Sequence, residues 1–468
     1  MTIGLVTAKV AESGWIGERL SANPSSVLNN TYNAAFWITA LVLILVYVLI
    51  SFEIVHRTAA ALLGAVILLV VTYTIGTFNH DFHILSFQQA VKHIDLNVVF
   101  LLMGMMILVT ITARTGVFPW LAVQAYAAAG GSEFRLAVLF AIATAVLSAL
   151  LDNVTTMLLM VPVTVEIALI LKINPWPLLL PEVFASNLGG AATLIGDPPN
   201  LLIGSYANFT FLDFLVNMTP VVILSIIALV MLMRLQYGRE YRRLGREETA
   251  ALLAELREHH RITDSRLLRK SLVVFGVVIL LFLVHGVFHM EPSIAALAGA
   301  TALLLWTGSD IVKELEGVEW PSLIFFIMLF IVVGAAEEVG LIQVIADGVN
   351  SLAAGNLIVA ILLVLWVSAF ASMIIDNIPF TVTMLPVVAY LTQTVPGAQG
   401  GILYWALAFG ACFGGNGTLV AASANIVTAC LAERAGYHIT FRQFVRNGVP
   451  VTIVSVAIAM LWLLVAGR

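Results

Sequence analysis

The sequence predicts an all-α polytopic membrane protein built from two inverted-topology repeats, each with about five transmembrane helices plus a re-entrant hairpin and a broken helix. Three observations carry that expectation. The chain of 468 residues is 61% hydrophobic and only 10% charged, and its mean hydropathy is +1.03, far outside the soluble globular range. Apolar runs of roughly 17–25 residues, each able to cross about 30 Å of hydrocarbon, recur from Ala34 onward. Finally, SALLDNVTTMLLMVP at 148–162 and SMIIDNIPFTVTMLP at 372–386 share Ser, Asp, Asn and Pro in register and carry further Thr nearby.

The repeat extends beyond that motif. AALLGA at 60–65 pairs with AALAGA at 295–300, Gly116 with Gly340, GGAATLIGDPPN at 189–200 with GGNGTLVAASAN at 414–425, and FLDFLVNMTP at 211–220 with FRQFVRNGVP at 441–450. Ordered matches at polar positions separate a true internal duplication from the chance likeness of apolar segments.

The elements follow in order. Residues 1–33 form an N-terminal tail without the continuous apolar core of a cleavable signal, so the first span is expected to be an uncleaved anchor. Trp15, Ile16 and Leu20 of that tail could mark a surface helix, with a loose tail as the plainer reading. Repeat 1 covers 34–236: apolar spans near 34–54, 57–76 and 97–115, a long segment 134–171 with Asp152 and Asn153 at its centre, a glycine-interrupted segment 177–204 and a last span at 215–236. Residues 237–269 form a basic linker. Repeat 2 covers 270–468 in the same sequence: 270–288, 293–307, 320–338, a hairpin at 356–393 around Asp376 and Asn377, a broken helix at 401–430 and a final span at 448–467. A segment that enters and returns is tolerated where irregular backbone faces protein or water rather than lipid.

Charge orients the chain. The connection 234–270 carries ten Lys and Arg residues and is expected on the cytoplasmic side. Five crossings per half then put every other Lys and Arg on that side except Lys9, Arg19, Lys92 and Arg468, with both termini outside and the two hairpins entering from opposite faces.

A helix that restarts inside a membrane offers free N–H groups and the positive end of its dipole, and one that stops leaves carbonyls unsatisfied. Asp152 and Asp376 stand where the returning arm of each hairpin begins, with Asn153, Thr155, Thr156, Asn377 and Thr381 beside them. Gly189, Gly190, Gly196, Pro198 and Pro199, and then Gly414, Gly415 and Gly417, supply the breaks. Asn187, Thr193, Asp197, Asn200, Asn416, Thr418, Ser423 and Asn425 supply polar groups at those breaks. These residues form the expected substrate and ion site, with Asp152, Asp376 and Asp197 as proton or cation carriers. Helix capping alone is the plainer role for an Asp, yet a neutral Ser or Asn would cap at lower cost in hydrocarbon. Asp197 has the weaker claim, because Ala422 stands at its repeat position.

The expected centre holds carboxylates, amides and hydroxyls but no Lys or Arg, which suits a neutral solute better than a dianion. Glu166 and Glu182 are expected in solvent at segment ends, and His80, His83, His93 and His289 in outer loops. Cys412, beside the second break, reads as a small buried hydrophobe. No Walker A loop, haem ligand pair or hydrolytic triad occurs in the sequence, so neither an enzyme nor ATP-driven transport by this chain alone is expected. No cofactor, metal site or nucleic-acid partner is expected.

At DNVTTMLLMVPVT, GGAATLIGDPPN, DNIPFTVTMLPV and GGNGTLVAASAN the chain resembles the ion transporter superfamily, in particular the ArsB permease family of arsenite and antimonite efflux permeases, with motifs closest to its melanosomal P protein branch. D-type Na+/H+ antiporters look similar at Asp152–Thr156 and at Asp376–Pro379 but differ around Asp197–Asn200. The resemblance covers nearly the whole chain from about residue 34. It implies a homodimer of elevator-type protomers in a bacterial-type inner membrane, each with a scaffold and a mobile domain carrying both hairpins and both broken helices. It also implies that Asp152, Asn153, Asp376, Asn377, Thr193, Asp197, Asn200, Thr418 and Asn425 surround the substrate and the coupling ion. The functional expectation is proton-coupled efflux of a small inorganic solute, arsenite or antimonite by likeness. Na+/H+ antiport, with Na+ as coupling ion, and an anion transporter or channel of the same superfamily are the alternatives. Association with a separate ATPase subunit is left open by the sequence.

Overall fold

The computed structural model describes residues 32–241, Leu253, Leu256, Arg257 and 260–466. Trp15, Ile16 and Leu20 lie outside the described residues, as do Arg242, Arg243 and Arg246 of the basic connection. Among the described residues every regular element is helical. The first half contains α1 (Ala34–Ser51), α2 (Arg57–Tyr73), α3 (Leu96–Ala113), α4 (Val117–Ala129), α5 (Glu133–Leu150), α6 (Asn153–Leu171), α7 (Trp176–Gly190), α8 (Pro198–Ala207) and α9 (Thr219–Tyr237). The second half repeats that order: α10 (Ser265–Phe288), α11 (Pro292–Thr307), α12 (Trp320–Glu338), α13 (Leu341–Ala353), α14 (Leu357–Ser372), α15 (Asn377–Thr394), α16 (Ile402–Gly414), α17 (Ser423–Arg434) and α18 (Phe441–Ala466). Short helices at Phe87–Lys92 and Ile311–Glu316 precede α3 and α12 in turn, so the correspondence between halves reaches minor elements.

The hairpins are the pairs α5–α6 and α14–α15, and the broken helices are α7–α8 and α16–α17. Nine helices are long and apolar enough to cross a membrane, counted among the described residues: α1, α2 with its continuation, α3, α5, α6, α9, α10, α12 and α18. Each broken helix is two short pieces, so length alone misses it; the pieces have to be added across the break.

Two elements have no counterpart in the sequence reading. Helices α4 and α13, of 13 residues each, are too short to span. They start at Gly116 and Gly340, whose φ values of 74° and 81° are in the left-handed region. A side chain there would be strained, which explains why the duplication keeps Gly at both positions. Hydropathy also misplaced two starts. Helix α10 begins at Ser265, under the Asp264 cap, inside the expected linker, and α18 begins at Phe441 rather than near 448. The early turns are helical without being apolar, and hydropathy sees only the apolar part.

Each inner hairpin arm packs on the first half of a broken helix: α5 on α7 and α14 on α16. Glycine permits the approach. A Cβ on Gly189 would collide with the backbone of Ala145, and one on Gly414 would lie 2.6 Å from the Ala369 carbonyl oxygen. Ser148 Oγ donates to the Ser186 carbonyl at 2.8 Å and Ser372 Oγ to the Ala411 carbonyl at 2.7 Å, locking the same register in both halves.

Because the obstacle at Gly414 is backbone, Gly414→Ala is expected to lower stability by about 1–3 kcal/mol. Thermal unfolding in detergent checks this; an unchanged midpoint would show that α14 and α16 can separate freely.

Candidate functional site

Both hairpins turn at an Asp that caps the returning arm. Asp152 accepts from the Thr155 N–H at 2.8 Å and from Thr155 Oγ1 at 2.5 Å, and Asp376 accepts from the Ile378 N–H at 3.0 Å. Both are helix N-caps, a position where a carboxylate is favoured by orphan N–H groups and the helix dipole. The capping role weighed in the sequence is therefore real at both residues.

The turns converge on the breaks. Asp197, fully buried just before α8, accepts at Oδ1 from Asn153 Nδ2 at 3.2 Å and from Asn377 Nδ2 at 3.4 Å. One carboxylate oxygen thus joins hairpin 1, hairpin 2 and the first broken helix. Its other oxygen, Oδ2, is buried without a hydrogen-bond partner among the described residues. Asn187 extends the network across the halves, donating to Asn416 Oδ1 at 2.9 Å and Asn425 Oδ1 at 3.0 Å.

The remaining amides hold the breaks in shape. Asn200 Nδ2 donates to the carbonyls of Ala191 and Thr193 at 3.0 and 2.9 Å, and Asn425 Nδ2 donates to those of Gly415 and Thr418 at 2.7 and 2.9 Å. Thr193 Oγ1 reaches the Ala149 carbonyl and Thr418 Oγ1 the Met373 carbonyl, both at 2.5 Å. Carbonyls freed where a helix stops are satisfied here by side chains of the same repeat. Cys412 is buried, with Sγ 3.4 Å from Asn200 Oδ1, a weak donor where the first repeat has Asn187.

The structure brings Asp152, Asn153, Asp197, Asn377 and Ser423 to one cavity of about 20 Å³, room for about one water-sized group. Ser423 Oγ donates to Asp376 Oδ2 at 3.2 Å. Asn187, Asn416, Asn200, Asn425, Thr193 and Thr418 support this cavity from behind. Thr156 and Thr381 are buried and turned into their own helices, donating to the Asp152 and Asn377 carbonyls at 2.8 and 2.7 Å. Those two predicted site residues leave no hydroxyl proton for a ligand.

Three expectations are corrected. The cavity does contain a cation: Arg57, at the start of α2, lines it, with Nη1 3.7 Å from Asp376 Oδ2 and hydrogen-bonded to Ser423 Oγ. An Arg at a span end reads as a membrane-side charge, and its repeat position is Pro292, so neither hydropathy nor the duplication pointed to it. Glu182 is fully buried, not solvated, with Thr144 and Thr164 donating to Oε1 at 3.1 and 3.2 Å; Glu166, 42% exposed, does face solvent. His93 is 7% exposed and pairs with Glu338 at 3.1 Å, because the Phe87–Lys92 helix folds back against α12.

Past Arg57 the cavity meets a vestibule of about 430 Å³, lined on one side by Glu53, His56 and Glu319 and on the other by Asp376, Ser423 and Val427. Thr263 donates to the Arg114 carbonyl at 2.9 Å and Arg114 pairs with Glu314 at 2.6 Å, so the end of the basic linker and the approach to α12 lie on one side of the molecule.

Comparison with known proteins agrees with this architecture. The family profile described as CitMHS, citrate transporter, matches residues 47–410. The chain is 42% identical over 421 residues to the uncharacterized transporter Rv2684 of Mycobacterium tuberculosis, covering 89% of this chain and 95% of that one. It is 38% identical over 497 residues to the P protein of Homo sapiens, covering 90% of this chain and 59% of the longer relative. The crystal structure of the Alcanivorax borkumensis YdaH transporter, reported as having an unusual topology, has the same fold at a TM-score of 0.57 and 13% identity, over 87% of this chain and 98% of that one.

Two substitutions separate supporting from idle polar groups. Asn187→Ala strands buried acceptors on Asn416 and Asn425 and is expected to cost about 1–3 kcal/mol, whereas Thr381→Val, which loses one bond inside its own helix, is expected to cost under about 1 kcal/mol. Paired thermal unfolding curves check the contrast; equal shifts would remove the cross-repeat amide network from the account.

Proposed function

The chain belongs to the CitMHS citrate transporter family, and from that premise we propose that it is a secondary active transporter coupling protons to the movement of a small solute through the cavity lined by Asp152 and Asp197 and the adjoining vestibule lined by Asp376. The observation that carries this reading is the buried Asp197 carboxylate, which faces the Cys412 thiol and whose Oδ2 takes no hydrogen bond of its own among the described residues, while Oδ1 holds both hairpins. A carboxylate oxygen left bare in a low-dielectric site is costly, so a proton, a cation or a solute hydroxyl belongs against it. Asp197 and Asp376 are buried and Asp152 is half-buried; Asp152 and Asp197 line the cavity and Asp376 the vestibule that adjoins it at Arg57 and Ser423. A buried carboxylate without full pairing is costly in its charged form, and a proton or a bound cation is the direct relief.

The cavity of about 20 Å³ takes a proton or a small ion, while the adjoining 430 Å³ vestibule falls within the range of small-molecule sites. The motif likeness to arsenite and antimonite permeases supports efflux of a neutral trihydroxide, which amides and hydroxyls can hold. A second reading is favoured by Arg57: a guanidinium at the vestibule's inner end suits a carboxylate or other oxyanion, in keeping with the family's description. Na+ exchange for protons at the same carboxylates is the third outcome to be scored. In this proposal the protomer works by alternating access, the hairpins and broken helices moving together against the other helices as an elevator, in a homodimer of the cytoplasmic membrane with the vestibule on the inner face.

The test is a substrate panel on reconstituted protein, comparing arsenite, antimonite, citrate and Na+ under an imposed proton gradient. Gradient-driven flux of at least one solute is expected. Asp197→Asn should cut that flux by at least about tenfold, the equivalent of 1.4 kcal/mol, while circular dichroism and size-exclusion profiles stay unchanged. Flux indifferent to the gradient, or undiminished in Asp197→Asn, would overturn the reading.

A further inference from the structure

Arg57 joins two groups of elements, and it holds them by different means. Toward α12 the grip is firm: Nη2 donates to Ser322 Oγ at 2.9 Å, the guanidinium lies 5.4 Å from the centroid of Phe325, and adjacent Thr58 Oγ1 donates to the Pro321 carbonyl at 2.8 Å. Toward the hairpin and broken helix the grip runs through Ser423 and depends on the charge of Asp376. Nη1 donates to Ser423 Oγ, but its ion pair with Asp376 spans 3.7 Å, beyond direct hydrogen-bond reach. The arrangement is also one-sided. The duplication puts Pro292 where Arg57 would recur, and Asp152, the counterpart of Asp376, is held instead by Thr155 on its own helix.

We propose that Arg57 is an internal counter-cation that competes with the coupling proton for Asp376, holding the cavity open to the vestibule while Asp376 is ionised and releasing the second hairpin when Asp376 is protonated. This rests on the transport reading above and names the residue that turns protonation into movement. The titratable groups facing the pair are Asp376, Asp152 and Asp197 at the three caps, Glu319 before α12, and Glu53 and His56 on the α1–α2 connection. Asp376 is the carboxylate in ion-pair range of the guanidinium among the described residues. Protonating it removes the ionic attraction across the interface, leaving there only the neutral bond to Ser423 Oγ, while the Ser322 and Phe325 contacts on α12 stay intact. No other cation lines the cavity among the described residues, so the ionic part of the hold depends on this one side chain, beside the neutral bond from Tyr47 Oη on α1 to the Pro379 carbonyl at 2.8 Å. Because the opposite face lacks an equivalent, ionised carriers collect in the vestibule-open state, a bias that gives the cycle a preferred resting side.

Spin labels on the full chain test this. Val312→Cys, on the short helix before α12, and Glu433→Cys, at the end of α17, are both exposed and report the separation of the two groups in a Cys430→Ser background. With Arg57 present, lowering the pH through the carboxylate range is expected to change the ratio of two distance populations by about tenfold. Asp376→Asn should show the low-pH distribution at every pH, and Arg57→Gln should lose the pH response. Arg57→Lys keeps the charge and should fold even if Arg57→Gln does not; its weaker hold moves the transition to higher pH. A pH response in Arg57→Gln equal to the parent's, no response in the parent, or an unmoved midpoint in Arg57→Lys would each overturn the counter-cation. Proton-driven flux of the parent over the solute panel is measured alongside. Its absence defeats the transport reading itself, whereas flux with a pH response indifferent to Arg57 defeats only this inference.

Discussion

The architecture depends on a single carboxylate oxygen. Asp197 Oδ1 accepts from the amide of each hairpin, Asn153 and Asn377, where the carboxylate is fully buried. A buried charge needs donors, and here the donors come from segments far apart in the chain, so satisfying the charge is the same act as assembling the site. The hairpins end there because their Asp caps and Asn amides find their partners there, and the helices break there because Asn200 and Asn425 hold the freed carbonyls. Packing supports this from outside, through glycines that let α7 and α16 touch the backbone of α5 and α14.

A duplicated backbone therefore carries an unduplicated chemistry. Helix order, cap positions, the Thr193 and Thr418 contacts and the paired serines all repeat. Three groups at the centre do not: Asp197 answers to Ala422, Asn187 to Cys412 and Arg57 to Pro292. Where two halves meet, symmetry would bring like groups together. A second carboxylate opposite Asp197 would add a like charge to a region that already holds Asp152 and Asp376. Leaving that position as Ala422 keeps the charge count within what two amides, Ser423 and Arg57 can offset.

Glu182 and His93 illustrate how local reading goes astray. Each lies near the end of an apolar segment, where solvent is the usual environment for a polar side chain. Glu182 is enclosed because α5 and α6 bring Thr144 and Thr164 to it from both hairpin arms. His93 is enclosed because a short helix turns back on α12, where Glu337 and Glu338 end the span. In both cases the partner lies on another element, and nothing in the neighbouring sequence announces it.

The one-dimensional pattern by itself determined the membrane class, the duplication, the two Asp-capped hairpins and the polar breaks, because hydropathy period, repeat register and the cost of charge in hydrocarbon are all properties of consecutive residues. It named Asp152, Asn153, Asp197, Asn377 and Ser423 of the cavity's polar lining, but not Arg57, Glu319 or Ser322. Only the tertiary structure decided that Asp197, weakest of the three acids by repeat symmetry, is the shared acceptor, that Thr156 and Thr381 turn inward to their own helices, and that Arg57 enters the site. Those outcomes depend on distances between residues hundreds of positions apart, and hydrogen bonds and ion pairs act through space over a few ångströms whatever the separation along the chain.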